Sequence, residues 1–531
     1  MQNEEEGTGV SRALVWIEHG LRGALIVLSA AAMIAFVRVA LLRLHFAYEY
    51  DWIEDGMVAS VRHIAAGLPL YGAPSVHFTP YLYTPLYLYL SAALGKVIGV
   101  SYVTLRVASI AATLGCFAAI FALVYGETRR MFAACAGAGM FAACYAAVDG
   151  SFDIGRVDML YVLLVLCALY ATRHMHPLFA ALLWVCAFQT KQGVLPIAAL
   201  LLCHDWQRPR RVLMGVAGFA LMLAGSIAWL NYATHGWYRF YVFGLAGAFG
   251  LEPHWANQFI RLDMEQVCGV ALLIMVIAAV MEVVRRRQVM WRAGFSFYAL
   301  GSVGMIAYTG FIRAHRGANT NSLIPAYAWT AVLFGVALAW LYRRLEERGT
   351  AWAQAATVAL LLAAGWQIVR LRYHFDDFVP PQNQQALRDN MEARLRSIPG
   401  DVLVLGHPED GLMAGKTGYA GSESIGAVID AKDRGPGDEL IAEYAVLIHS
   451  GKLAAVALDS PAEGRPANVR TWMPRDFLTH YPLRVEDAGG DAREFTSEPK
   501  YIYLPCPMAG APDVARQLDA KVNETACRAR H

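Results

Sequence analysis

"LRGALIVLSAAAMIAFVRVALLRLHFAYEYDWIED" runs from Leu21 to Asp55. Residues 21–43 form an apolar run of the kind that crosses a membrane as a helix. The stretch then ends in three carboxylates within five positions, Asp51, Glu54 and Asp55. A membrane helix that delivers a knot of acids to its mouth poses two questions: how many such helices follow, and what the acids are for.

The rest of the chain answers the first. Of 531 residues, 57% are hydrophobic and 17% charged, whereas soluble domains have about 45–50% and about 25%. Further apolar runs lie near 82–98, 103–125, 131–148, 157–172, 177–190, 193–204, 211–231, 266–284, 293–312, 322–343 and 351–370. The acidic opening "MQNEEEGTGVSRALVWIEHG" lacks the basic start and small-residue cleavage site of a signal peptide, so the first run reads as a retained anchor. A net charge of +2 with no basic stripe or stacking motif gives no sign of a nucleic-acid partner. Seven cysteines in or beside apolar runs read as packing residues. Cys506 and Cys527 stand in the polar tail, where an oxidising compartment would permit a disulfide.

Orientation follows from basic short loops, which stay in the cytoplasm. "RPRR" (Arg208–Arg211), "RRR" (Arg285–Arg287) and "YRRLEER" at 342–348 therefore mark the cytoplasmic side. The acid knot, the segment "DGSFDIGRVD" at 149–158, Lys191, the loop 232–265, the "RAHRGANTN" loop and the tail fall on the other. Three apolar runs separate residue 55 from residue 149, and an odd number of crossings would split the two acidic motifs. One run must stop short, and 82–98 is the best candidate because "ETRR" at 127–130 favours a cytoplasmic turn. The expected fold is an α-helical polytopic membrane protein of about 11 transmembrane helices with a small C-terminal extracytoplasmic α/β domain. Residues 1–20 are then cytoplasmic, 21–370 form the membrane module with an outer loop at 45–81, and 371–531 form the tail domain. In that tail "DVLVLG" and "AAVALDS" read as buried strands, and "LRDNMEARLRSI" and "DELIAEYAVLIHSGK" as amphipathic helices.

Charges beside a membrane need partners or a water-filled cavity, so each polar cluster is a candidate site. Asp51, Glu54 and Asp55 can serve as general bases on a hydroxyl, or simply favour the start of an interfacial helix. In "FDIGRVDMLY", Asp153 and Asp158 can orient a substrate or hold a divalent metal cation while Arg156 meets a phosphate; the alternative is that Arg156 pairs with them structurally. Lys191 in "FQTKQG" sits at the apex of two short runs, as a phosphate-binding ammonium or a snorkelling lysine. Arg313, His315 and Arg316 in "FIRAHRGANTN" can bind a donor phosphate or lipid headgroups. Tyr81, Tyr83, Tyr87 and Tyr89 alternate around Pro85, as an interfacial aromatic belt or a platform for sugar or isoprenoid. Tyr83, Tyr87 and nearby His77 are the sugar and lipid contacts to test. Acids to activate a hydroxyl and cations to hold a phosphate, all on the outer side, suit a lipid-phosphate donor, since nucleotide sugars are scarce outside the cytoplasm. Neither a Walker loop nor a Rossmann fingerprint is present.

At these residues the chain resembles the glycosyltransferase C superfamily, nearest to the bacterial family-39 and Rgt-like group related to protein O-mannosyltransferases and aminoarabinose transferases. The resemblance covers about residues 20–345. It rests on "DWIEDG" followed by "AAGLPLYGAPSVHFTPYLYTPLYLYLSA", on "SFDIGRVDMLYVLL", on "WVCAFQTKQGVLP" and on "HRGANTNSLIPAYAWTAVLFG". It implies a polyprenyl-phosphate-linked sugar donor, an outward cavity and a catalytic acid from the first loop, here Asp51 or Glu54; Asp55 stands where glycine is usual. It puts Arg156 and Lys191 near the donor phosphate and Asp158 at the second acidic position. The implied activity is an inverting transfer of the sugar to a hydroxyl of a cell-envelope lipid, glycan or protein, at the outer face of the bacterial inner (plasma) membrane. The alternatives are a transporter or flippase of lipid-linked sugars, which usually shows inverted repeats, or a non-catalytic membrane assembly protein.

Overall fold

In the computed structural model the first apolar run belongs to one 43-residue helix, α1 (Gln2–Leu44). The structure describes residues 2–245, 250–252, 254–285, 293–315, 318–431, 433, 435–462, 473–486, 499 and 501–506; Arg316, Cys527 and two arginines of the 285–287 loop lie outside them. Six described helices are long and apolar enough to cross a membrane: Ala13–Leu44 within α1, Tyr102–Thr128 (α4), Pro209–Ala233 (α9), Phe259–Val284, Thr320–Glu346 and Ala351–Val369. Between them lie α3 (Leu86–Ile98), α5 (Met131–Ala143), α6 (Asp158–His174), α7 (Pro177–Phe188) and α8 (Leu195–Leu202). The 13 residues of α3 give about 20 Å of helix against a hydrocarbon core of about 30 Å. That length suits a segment that stops short. The same is true of α5 with 13 residues and α7 with 12.

Close packing in the bundle comes from small side chains. The sequence of α5, "MFAACAGAGMFAA", lets neighbouring backbones approach, as small residues do between membrane helices. A Cβ on Gly139 would lie 2.5 Å from Ser29 Cα of α1, and one on Gly335 of the helix Ile324–Glu346 would lie 2.8 Å from the Ala133 carbonyl of α5.

The segment between α1 and α3 carries α2 (Trp52–Ala65), capped at its N-terminus by the Asp51 side chain, which accepts from Ile53 N at 2.9 Å. The tail holds a four-stranded sheet of order β1-β2-β4-β3, from β1 (Asp401–Val404), β2 (Leu453–Leu458), β3 (Leu483–Glu486) and β4 (Tyr501–Leu504). β1 and β2 are parallel, and β4 is antiparallel to both its neighbours. Parallel pairing requires a crossover, and the helices Ser422–Ile429 and Gly435–His449 lie in it. Both predicted tail strands and both predicted tail helices are present. One face of the sheet packs on Met391, Leu395 and Ile398. The other merges with the segment 45–81 into one apolar core that joins Ile53, Met57 and Tyr81 to Leu403, Tyr419 and Ile425. Ala420 N donates to the Val76 carbonyl at 2.8 Å across this junction. Cys506 is disulfide-bonded, and the seven cysteines of the helical module are free.

Candidate active site

The acid knot fans out in three directions: Asp51 is the extended N-cap residue, outside the helix, while Glu54 and Asp55 are successive residues of α2, rotated about 100° from each other. Asp51, at the cap, faces a cavity of about 290 Å³. Glu54 is fully buried and receives Arg106 of α4 in a two-pronged pair, Nε to Oε1 and Nη2 to Oε2, both 2.8 Å. It also accepts from Gly155 N at 2.7 Å and Tyr50 N at 2.8 Å. A carboxylate has about four acceptor positions, and these donors fill them. Asp55 accepts from the Tyr102 hydroxyl at the start of α4 and, on the tail side, from Glu409 N.

The cavity is walled by Arg43 and Tyr50 at the end of α1 and beyond it, by Asp51, and by Asp149, Ser151, Ile154 and Arg156 before α6. Asn319, Thr320 and Asn321, at the 3₁₀ start of the helix Ile324–Glu346, and Asp377 and Phe378, just before the tail, complete it. The two acidic motifs are in contact: Arg156 Nη1 lies 2.5 Å from Asp51 Oδ2, and its Nε lies 3.2 Å from Asp158 Oδ2. Asp158 in turn holds Lys191 Nζ at 2.6 Å and accepts from Asn321 Nδ2 at 3.2 Å. The result is an alternating relay, Asp51–Arg156–Asp158–Lys191, open to the cavity at its Asp51 end. Asp51 retains acceptor capacity, since among the described residues its carboxylate accepts hydrogen bonds from Ile53 N and Arg156. Across the cavity Arg43 pairs with Asp153 at 2.7 Å and donates to the Gly150 carbonyl at 3.0 Å. Burial pushes the Asp153 carboxyl up despite the opposing pull of Arg43. The turn that makes this contact needs glycine: Gly150 has φ +68, and a Cβ there would meet Arg43 Nη1 at 2.8 Å. Thr320 donates to Asp149 Oδ2 at 2.7 Å, which ties the two walls together.

Several expected site residues serve other ends. Glu54 has no acceptor position left for a substrate proton and holds α2 against α4. Asp153 and Asp158 are already neutralised by Arg43, Lys191 and Arg156, so they do not fit as ligands of a divalent cation. Arg313 pairs with Asp263 at 3.2 Å, donates to the Ala318 carbonyl and lies 4.4 Å from the Trp255 ring centroid; it anchors the segment 251–263 and does not line the cavity. Tyr87 is buried, with its hydroxyl 3.0 Å from the Leu105 carbonyl, so it packs α3 on α4. His77 is exposed and stacks on Tyr419 of the tail. Tyr83 is half-buried and within electrostatic reach of Arg156. Arg43, Arg106, Asp149, Asp377 and Phe378 were not singled out from sequence. Arg106 carried a signal, as the one charge in the run 103–125; a buried membrane arginine needs a partner.

Comparisons with known proteins agree with this architecture. The family model that matches is "Glycosyltransferase family 87", over residues 81–309, where the sequence resemblance pointed nearest to family 39. A search of curated proteins gives no match. Among solved structures, the chain is similar to ArnT from Cupriavidus metallidurans in the apo state, with 12% identity and a TM-score of 0.56 over 91% of this chain and 97% of that one. It is also similar to the oligosaccharyltransferase of Archaeoglobus fulgidus, with 10% identity and a TM-score of 0.50 over 91% of this chain and 74% of that one.

Proposed function

We propose that this multi-pass membrane protein, a glycosyltransferase of the glycosyltransferase C superfamily, moves a sugar from a polyprenyl-phosphate-linked donor to a hydroxyl of a cell-envelope lipid, glycan or protein. The reaction takes place at the outer face of the bacterial inner membrane, with Asp51 as general base. One observation carries the reading: Asp51 is the first-loop carboxylate that opens into a cavity, and that cavity is walled by two buried arginines, Arg43 and Arg156.

In the resting arrangement Arg156 is shared between Asp51 and Asp158. A donor phosphate entering the cavity competes for Arg156, with which it forms stronger charge-assisted bonds. That draws the guanidinium away from Asp51 and raises the basicity of its Oδ2. Asp51 then takes the proton of the acceptor hydroxyl as its oxygen attacks the anomeric carbon. The bond from that carbon to the phosphate oxygen breaks, and the polyprenyl phosphate leaves with the electron pair, stabilised by Arg156, Arg43 and Lys191. A single displacement inverts the anomeric centre. Asp149, Asn319, Thr320 and Asn321 supply hydrogen-bond groups for sugar hydroxyls, and Tyr50 and Phe378 supply ring faces. In this reading the tail lies outside the cytoplasm and supports the site or recognises the acceptor.

The test is an assay of purified protein with a panel of labelled polyprenyl-phosphate sugars. Release of polyprenyl phosphate or transfer of label is expected, and its loss in Asp51→Asn. If Asp51→Asn turns over like the wild type, the base is misassigned. If the wild type only moves intact labelled lipid between the leaflets of a vesicle, the protein is a flippase.

A further inference from the structure

Far along the chain from the cavity residues, three side chains converge at the end of the tail's 435–449 helix. His449 Nε2 lies 3.1 Å from both Asp476 oxygens, and His480 Nε2 lies 3.3 Å from Asp476 Oδ2. The two imidazole rings are 4.6 Å apart, centre to centre. All three ligand atoms lie within 4.8 Å of one another, and they are the one such group of three found among the described residues. We propose that His449, Asp476 and His480 form a binding site for a divalent transition-metal ion of the zinc class.

The spacing supports this. Zinc takes imidazole nitrogen and carboxylate oxygen at about 2.0–2.2 Å, and a tetrahedron with such bonds has edges of about 3.3–3.6 Å. The observed separations of 3.1 and 3.3 Å need only a small expansion to admit the ion. The ligands also stand on fixed elements. His449 closes a helix whose Tyr444 and Ile448 are buried, and Phe477, which begins the turn carrying His480, is 2% exposed and packs on Tyr503. Two imidazoles and one carboxylate suit zinc, nickel or cobalt and not calcium or magnesium, which prefer all-oxygen sets. Without an ion the arrangement gains little, since exposed ion pairs contribute about 0–1 kcal/mol. All three side chains are partly open to solvent, which leaves room for one or two waters on the metal. The ion would clip the C-terminal end of the 435–449 helix to the 477–480 turn and so close the chain between them. None of the three residues lines the cavity, so the proposal stands apart from the transfer reading.

The experiment uses full-length protein without a histidine tag, stripped with a chelator and titrated with zinc against a chromophoric competitor. One zinc per chain is expected, not displaced by magnesium or calcium. The paired variant His449→Gln/His480→Gln should weaken that binding by at least the roughly 10- to 100-fold that loss of a mere outer partner costs a metal site. A second readout needs only the wild type: zinc should slow diethyl pyrocarbonate modification of His449 and His480, followed by mass spectrometry, and magnesium should not. No zinc uptake by the wild type, equal uptake by the paired variant, or unprotected histidines would each overturn the site.

Discussion

Two buried charge networks flank α2, and they differ in what closes them. One is the relay Asp51–Arg156–Asp158–Lys191, whose end opens to the cavity. The other lies under the tail. There Arg388 holds both Glu49 oxygens at 2.9 Å and Asp410 at 2.8 Å, His407 pairs with Glu49 at 2.7 Å and with Asp459 at 3.3 Å, and Arg62 pairs with Glu409. Both networks pair carboxylates with buried arginines. The tail covers the centre of the second, where Glu49, Arg388, His407 and Asp410 are buried with only Arg62 and Asp459 at its edge, so its buried charges hold structure. The first faces 290 Å³ of open volume, so its charges can be exchanged for those of a substrate. Exposure of one end, not charge content, separates a candidate site from a fastener. The acid knot contributes to both, with Asp51 to the cavity and Asp55 to the fastener, while Glu54 is clamped between them.

The sharpest way to break this contrast is to remove one acid of each kind. Glu54→Gln leaves Arg106 buried with its charge uncompensated, and breaking a buried pair from one side costs about 3–5 kcal/mol. The variant should give little folded protein by size-exclusion chromatography and a lowered midpoint in thermal unfolding. Asp51→Asn keeps a capping oxygen for Ile53 N and should fold normally while transfer falls about 10²–10⁴-fold. If Glu54→Gln folds normally and is inactive, the roles of the two acids are exchanged.

A smaller effect is expected along the relay. Lys191→Ala should weaken donor binding by about 1.5–3 kcal/mol, the usual contribution of a charge-assisted contact, with little change in the rate at saturating donor. Arg156→Ala removes a phosphate ligand and the partner of Asp51 together, so it should change both. A double-mutant cycle on Asp51 and Arg156 should be strongly non-additive, as for any pair in contact. Additive effects in donor titrations would mean that the two act in separate steps.

Legibility in the sequence followed the range of the interactions. The helices, the tail strands at "DVLV" and "LAAVAL" and the polar segments were readable, since hydropathy and alternation are local signals. The basic loops put 51–55 and 149–158 on one side of the membrane in the sequence reading, but not in contact. The division of labour among the three acids was not readable, because it depends on Arg106, on Gly155 and Arg156, and on Glu409, which come from three separate parts of the chain. The fastener was invisible for the same reason. Glu49 and Arg388 are 339 positions apart, and each alone looks like an ordinary surface charge. Arg43 and Arg106 were legible in principle, as arginines at or within apolar runs that call for buried acidic partners.

The smallest predicted effect concerns the fastener and pH. Burial pushes Glu409 up to about 7, despite Arg62, and Asp410 up to about 6, despite Arg388. Asp55 is raised in the same way, by burial and by Glu49 and Glu409. Between their unfolded values near 4 and these raised values, the docked tail holds protons that an undocked, solvated tail has lost. Docking is therefore favoured at low pH and weakens as pH rises through that window. His407 acts in the same sense. Burial alone would lower it, but Asp459 and Glu49 raise it well above its usual value. Its contribution is full below about 6.5 and is lost as pH climbs through the raised value. Glu49 is the opposite case: it is buried, but Arg388 and His407 hold it down to about 2, so its contribution is present above about 4.3 and is constant across the neutral range. Raising the pH from about 5.5 to about 8.5 should thus speed hydrogen exchange, corrected for intrinsic rate, in β1 and around Ala420. The segment 149–158 should not respond. Glu409→Gln, which cannot ionise, should reduce the response and leave the part due to Asp410, Asp55 and His407. If the cavity segment loosens in step with the tail, the two networks are one cooperative unit, and the contrast between an open site and a sealed fastener gives way to a single pH-sensitive interface.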